Sequence, residues 1–178
     1  MKQIIPLIFL VLVLTSCSNI EPLELQKSQC DSITDIDRKI SCVAFEKGDL
    51  FLCSTIKNSG LKDDCIIRVA EVVKDSSQYN DCLNADKDIY KVTCQALIKK
   101  DIDLCFSLKD VNGGGATAMR DCVDLLARKL KQQPICQNFV TRAQEFFDAC
   151  GSSTSVCEGL WLDGKEENMQ RCIDNIGI

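Results

Sequence analysis

The chain has 178 residues, 21 basic and 26 acidic side chains, a net charge of −5, no histidine and 13 cysteines. An acidic balance of this kind argues against a nucleic-acid ligand, which calls for a basic face, and against charge-driven attachment to an anionic membrane surface. The absence of histidine removes the commonest general base, the commonest metal ligand and the usual activator of a nucleophilic Ser or Cys.

The first segment has the build of an export signal: a short charged start at Met1-Lys2, then an almost wholly apolar run from Ile4 to Leu14. That run falls short of the roughly 20 apolar residues of a membrane-spanning helix. A plain secretory signal would prefer small residues at both recognition positions, and Leu14 fits that poorly. Leu14-Thr15-Ser16-Cys17 resembles the lipobox of prokaryotic lipoproteins: an aliphatic residue, two small residues, then cysteine. The resemblance implies that residues 1–16 are a signal peptide, that Cys17 carries the lipid, and that the mature chain starts there. Ser18 is compatible with transfer to an outer membrane where two membranes exist. Residues 17–29 then form a lipidated tether, reaching at most ~40 Å when extended. The expected location is extracytoplasmic, on the cell membrane through the lipid.

The body follows at residues 30–178, where twelve cysteines stand at Cys30, Cys42, Cys53, Cys65, Cys82, Cys94, Cys105, Cys122, Cys136, Cys150, Cys157 and Cys172. In an exported protein such a density reads as disulfides. No Cys-x-x-Cys occurs, so the zinc-knuckle and thioredoxin-type geometries are missing. Sliding the chain by 52 residues places Cys30, Cys42 and Cys53 on Cys82, Cys94 and Cys105, with Ala44 on Ala96 and Asp49 on Asp101. Cys65 meets Cys122 after a five-residue insertion that the loop Val111 to Gly115 can absorb. Such a period marks a repeat architecture.

Two kinds of cysteine alternate within it. One kind opens a short segment after an acidic-apolar lead, as in Asp49-Leu50-Phe51-Leu52-Cys53 and Asp101-Ile102-Asp103-Leu104-Cys105, and again at Pro134-Ile135-Cys136 and Val156-Cys157. The other follows polar residues and starts a longer apolar-periodic stretch: Lys62-Asp63-Asp64-Cys65, Met119-Arg120-Asp121-Cys122 and Met169-Gln170-Arg171-Cys172. Ile66, Val69, Ala70 and Val73 share one helical face, as do Val123, Leu126, Ala127 and Leu130. Asp49, Asp63, Asp101 and Asp121 sit where helices would start and could cap them. Asn58-Ser59-Gly60 and Asn112 to Gly115 separate elements. The fold expected is all-α: a disulfide-stapled array of short antiparallel helical hairpins, a small α-solenoid.

Pairing neighbours uses every thiol: Cys30–Cys42, Cys53–Cys65, Cys82–Cys94, Cys105–Cys122, Cys136–Cys150 and Cys157–Cys172. The opposite phase strands Cys30 and Cys172, so the first scheme is preferred. The repeated Cys…Ala…Asp-x-x-x-Cys pattern, seen at Cys42-Ala44-Asp49-Cys53 and Cys94-Ala96-Asp101-Cys105, is similar to that of uncharacterised cysteine-repeat lipoproteins of small-genome archaea and bacteria. It implies no known activity.

Candidate sites are few. Asn84, Asp86 and Asp88 have the oxygen spacing of a calcium loop, but Ile89 replaces its glycine and no Glu closes it, so no metal site is expected. Asp35/Asp37 and Asp101/Asp103 read as caps and surface carboxylates rather than an acid–base pair. Gly113-Gly114-Gly115 lacks the Lys-Ser/Thr of a phosphate loop and reads as a flexible insertion. Trp161, the single tryptophan, is expected to close the end of the core. With no catalytic constellation and no cofactor indicated, the expected role is a membrane-anchored scaffold, structural or binding an envelope or extracellular protein. An envelope thiol–disulfide enzyme or enzyme accessory is the alternative.

Overall fold

The computed structural model of the chain describes residues 28–151 and 154–177. Residues 1–27, and with them the expected export signal, Cys17 and nearly all of the expected tether, lie outside the described residues.

The described residues are all-α, with no strand among them. Five long helices form the array: α1 (Ile36–Lys47), α3 (Ser59–Val72), α4 (Asp88–Lys99), α6 (Ala116–Leu130) and α11 (Lys165–Ile176). Each packs on the next. A short element precedes each long helix: the single 3₁₀ turn Gln29–Ser32, α2 (Leu50–Cys53), the 3₁₀ segment Ser76–Asn84, α5 (Ile102–Ser107) and α7 (Gln133–Cys136). None of the described helices is long and apolar enough to cross a membrane.

One covalent rule governs all five units. The cysteine of the short element, fully buried in every case, bridges to a cysteine two turns into the long helix. The bridges are Cys30–Cys42, Cys53–Cys65, Cys82–Cys94, Cys105–Cys122 and Cys136–Cys172. The sixth joins Cys150 to Cys157. Neighbour pairing therefore holds for the first four bridges and fails at the end, where Cys136–Cys150 and Cys157–Cys172 do not form. The fifth unit carries an insertion between its short and long helices: α8 (Asn138–Thr141), α9 (Ala143–Asp148), α10 (Thr154–Cys157) and the π-helical turn Glu158–Asp163. Cys150 and Cys157 staple that insertion to itself, while the ends of the unit find each other.

The repeated alanines have a steric reason. Ala44, Ala96 and Ala127 are fully buried, and their carbonyls accept the N–H of Asp49, Asp101 and Gln132 at 3.0, 3.1 and 3.2 Å. The residue before each of those donors lies in the left-handed region: Gly48 (φ 62°), Lys100 (φ 59°) and Lys131 (φ 52°). These are C-terminal helix caps that turn the chain sharply into the next short element.

Asp35, Asp49 and Asp101 cap the helices they precede, accepting from the N–H of Arg38, Phe51 and Asp103. Asp63 and Asp121 do not start helices. Helix α3 begins four residues earlier, capped by Asn58, whose Oδ1 accepts the Leu61 N–H. Ser59 and Gly60 thus open that helix rather than precede it. Asp63 is instead buried at 2% exposure, and its Oδ1 accepts the Asp86 N–H at 2.7 Å, tying α3 to the entry of α4. Asp37 likewise accepts from the N–H groups of Lys57 and Asn58. Gln78 holds Leu50 N–H and Gly48 C=O together. Long-range side-chain caps thus join consecutive units.

Candidate functional site

The fifth unit is where the array departs from its own repeat, and its insertion walls two cavities. Phe106, Phe139, Phe146 and Trp161 form one aromatic cluster: Phe146 stacks on Trp161 and on Phe139, both at 5.0 Å, and meets Phe106 edge-on at 5.2 Å. The Arg142 guanidinium lies 3.4 Å over Phe106 and is held by Glu145 and Asp103, which raise its pKa against the opposing effect of burial. Trp161 is 5% exposed; it closes the end of the core, as expected, and its indole also lines a cleft.

That cleft has a volume of about 260 Å³ and lies between the N-terminus of α6, the turn at Ala149-Cys150, the π-helical turn and α11. The glycine run that precedes α6 is a tight structural turn, not a flexible insertion. A side chain on Gly114 would put its Cβ 1.9 Å from the Leu108 carbonyl oxygen. The Gly114 N–H donates to Val111 and the Gly115 N–H to Leu108, while Ala116 N–H reaches across to the Ala149 carbonyl at 3.3 Å. Gly115, at φ 107° and ψ −173°, is the residue before α6 and offers no side-chain cap. The N–H groups of Thr117 and Ala118 therefore have no partner among the described residues.

Two guanidiniums line the cleft, Arg120 from α6 and Arg171 from α11, and no carboxylate does. Arg120 spends Nε and Nη2 on a single oxygen of Asp121, at 2.9 and 2.7 Å. Arg171 makes no hydrogen bond or ion pair among the described residues. Asn168, 7% exposed, donates to the Leu160 carbonyl in the π-helical turn at 2.7 Å. A second cavity of about 390 Å³ is lined by Gly159, Glu167 and Asp174 and shares Leu160, Asn168 and Arg171 with the first. Near both arginines sits the half-buried Asp124. Burial pushes its pKa up to about 6, while Arg171 and Arg120 pull the other way; its Oδ1 is buried without a partner among the described residues.

The other sequence candidates do not converge. Asp86 pairs with Lys62 at 3.0 Å and Asp88 with Lys91 at 2.9 Å, so two of the three calcium-like oxygens serve lysines. Asp103 goes to Arg142. Among the described residues one trio of ligand-type groups comes close together, Cys30, Cys42 and Glu46, and its two sulfurs are joined to each other. All twelve body cysteines lie in bridges. Cys42 and Cys150 are half-buried, and Cys150 faces the cleft.

Arg120 sits far along the sequence from Asn168 and Arg171, so a reading of the sequence does not bring the three together. One signal was available: the residue pair before the long-helix cysteine is Ile40-Ser41, Asp63-Asp64 and Val92-Thr93 in the first units, and contains arginine only at Arg120-Asp121 and Gln170-Arg171. Comparison with known protein families, with curated proteins and with solved structures finds no match to this chain.

Proposed function

We propose that the chain is an extracytoplasmic lipoprotein, anchored through Cys17, whose disulfide-stapled body serves as a rigid scaffold for binding an envelope or extracellular protein. One observation carries this reading. Six bridges consume twelve of the thirteen cysteines, and the thirteenth is the one in the lipobox string. A fold held by six bridges requires an oxidising compartment, which supports export. A lipid supplies attachment that an acidic surface would not. Exposed apolar side chains such as Phe51 at 61% and Leu83 at 57% offer contact surface on the short elements.

Intact mass of the protein purified from its own membranes tests the anchor and the bridges together. The expected mass begins at Cys17, carries acyl chains and lacks the hydrogens of six disulfides. An unlipidated mass would discard the tether, and free thiols would discard the scaffold. Cross-linking on intact cells then reads the partner; a chain that cross-links to no envelope or extracellular protein would overturn the binding role. The second reading, a thiol–disulfide catalyst, draws on the half-buried Cys150 in the cleft wall and its local partner Cys157. Turnover in an insulin-reduction assay would select it.

A further inference from the structure

We infer that the cleft of the fifth unit binds a compact carboxylate- or phosphate-bearing ligand through Arg120 and Arg171. The inference rests on reading the body as a binding module and names what this part of it takes.

Four observations converge on an anion. The chain as a whole is acidic, at −5, yet the lining of this cleft holds two guanidiniums and no carboxylate, while Glu167 and Asp174 line only the neighbouring cavity. One of the two, Arg171, makes no hydrogen bond or ion pair among the described residues, although its charge acts on the half-buried Asp124. A guanidinium presents a planar fork suited to carboxylate or phosphate oxygens. The glycine turn leaves the Thr117 and Ala118 N–H groups unpartnered beside them, adding donors of the same polarity. The arginines also break the repeat: the corresponding positions of the first three units hold no basic residue, so the hairpin design does not require them.

Size and shape narrow the class. A cleft of about 260 Å³ exceeds what a bare phosphate fills and sits near the lower end of small-molecule sites. Its wall combines Trp161 and Leu160 with Asn168. Such a mixture suits an anionic group on a small ring or chain, with apolar edges and hydroxyls, as in a sugar acid or a sugar phosphate.

Trp161 is the single tryptophan of the chain and lines the cleft, so its fluorescence is the first readout of occupancy. The oxidised full chain is titrated at constant ionic strength with glucuronate, with inorganic phosphate and with glucose. A saturable change with glucuronate or phosphate, and none with glucose, is expected; which of the two anions saturates first identifies the carboxylate or the phosphoryl source. Arg171→Gln should weaken binding at least about tenfold and Arg171→Lys less, since lysine keeps the charge and loses the fork. Calorimetry on the same samples covers the case in which the indole is silent. An equal response to glucose, an unaltered affinity in Arg171→Gln with an unaltered far-ultraviolet spectrum, or no heat and no fluorescence change up to about 50 mM anion would overturn the inference. Loss of anion binding with a cross-linked envelope partner retained would remove this site alone. Anion binding with no such partner would leave the site standing and remove the protein-binding role.

Discussion

Cys136 and Cys172 are joined across 36 residues with their Cα atoms 5.6 Å apart, the same separation found for Cys30–Cys42 and Cys82–Cys94, which span 12. The fifth unit is therefore a regular one with a segment inserted into it. What the repeat preserves is the meeting of a short helix with the second turn of a long one. Chain distance between them is free to vary, because lengthening the connecting loop adds only slowly to its closure entropy.

Trypsin separates the two connectivities. Cleavage after Lys131, Arg142, Lys165 and Arg171 yields peptides Gln132–Arg142, Ala143–Lys165 and Cys172–Ile178, which hold the last four cysteines. Without reduction, the first should run joined to the third, with Ala143–Lys165 released alone and internally bridged. Neighbour pairing would instead tie all three peptides into one species.

The bridges should differ in their contribution to stability. By loop closure, Cys136–Cys172 is worth about 4 kcal/mol and Cys150–Cys157, which spans 7 residues, about 2 kcal/mol. Replacing each pair with alanine and following urea unfolding should give that order. Equal losses would mean that packing rather than chain constraint sets the effect.

Two neighbouring glycines should respond differently to alanine. Gly113, at φ 76°, has nothing within 4 Å of the point where a Cβ would stand, so Gly113→Ala should carry only left-handed strain, about 1 kcal/mol. Gly114→Ala drives Cβ into the Leu108 carbonyl and should lower the thermal midpoint by well over twice as much. It should also weaken any ligand of the cleft, since this turn sets the start of α6.

Lys100 occupies the left-handed cap that Gly48 fills in the corresponding turn. Glycine carries no Cβ penalty there. Lys100→Gly should therefore stabilise the protein by about 0.5–1 kcal/mol in chemical denaturation, whereas Gly48→Lys should destabilise it by a similar amount.

Asp124 predicts a pH dependence. Burial raises its pKa from 3.8 to about 6 against Arg171, Arg120 and Arg128 and with the help of Asp121. The native state thus holds this proton over a range in which the unfolded chain has lost it. The associated stability is present below pH 3.8 and falls as pH rises through about 6. Asp124→Asn should raise the thermal midpoint at about pH 8 and give no gain at about pH 3.5. A gain of equal size at both would assign the effect to packing.

The class of this fold and its repeating unit were legible in the chain alone. Period-52 cysteines, alanines and aspartates are local signals, and the forces behind them act over a dozen residues: a helix cap at Asp49, a buried small residue at Ala44, a bridge such as Cys53–Cys65. Four of the six pairings follow from adjacency for that reason. Packing between distant segments set the rest. Which cysteine met Cys136 depended on where α11 packed, against α6 and α7, and chain neighbourhood carries no information about that. Asp63 turned from an apparent cap into a buried acceptor for Asp86 because Asn58 had already started the helix. The Gly113–Gly115 run became a rigid turn only once Leu108 and Ala149 stood beside it. Arg120 and Arg171, 51 residues apart in the sequence, became walls of one cleft because a helical array brings the same turn of successive long helices side by side.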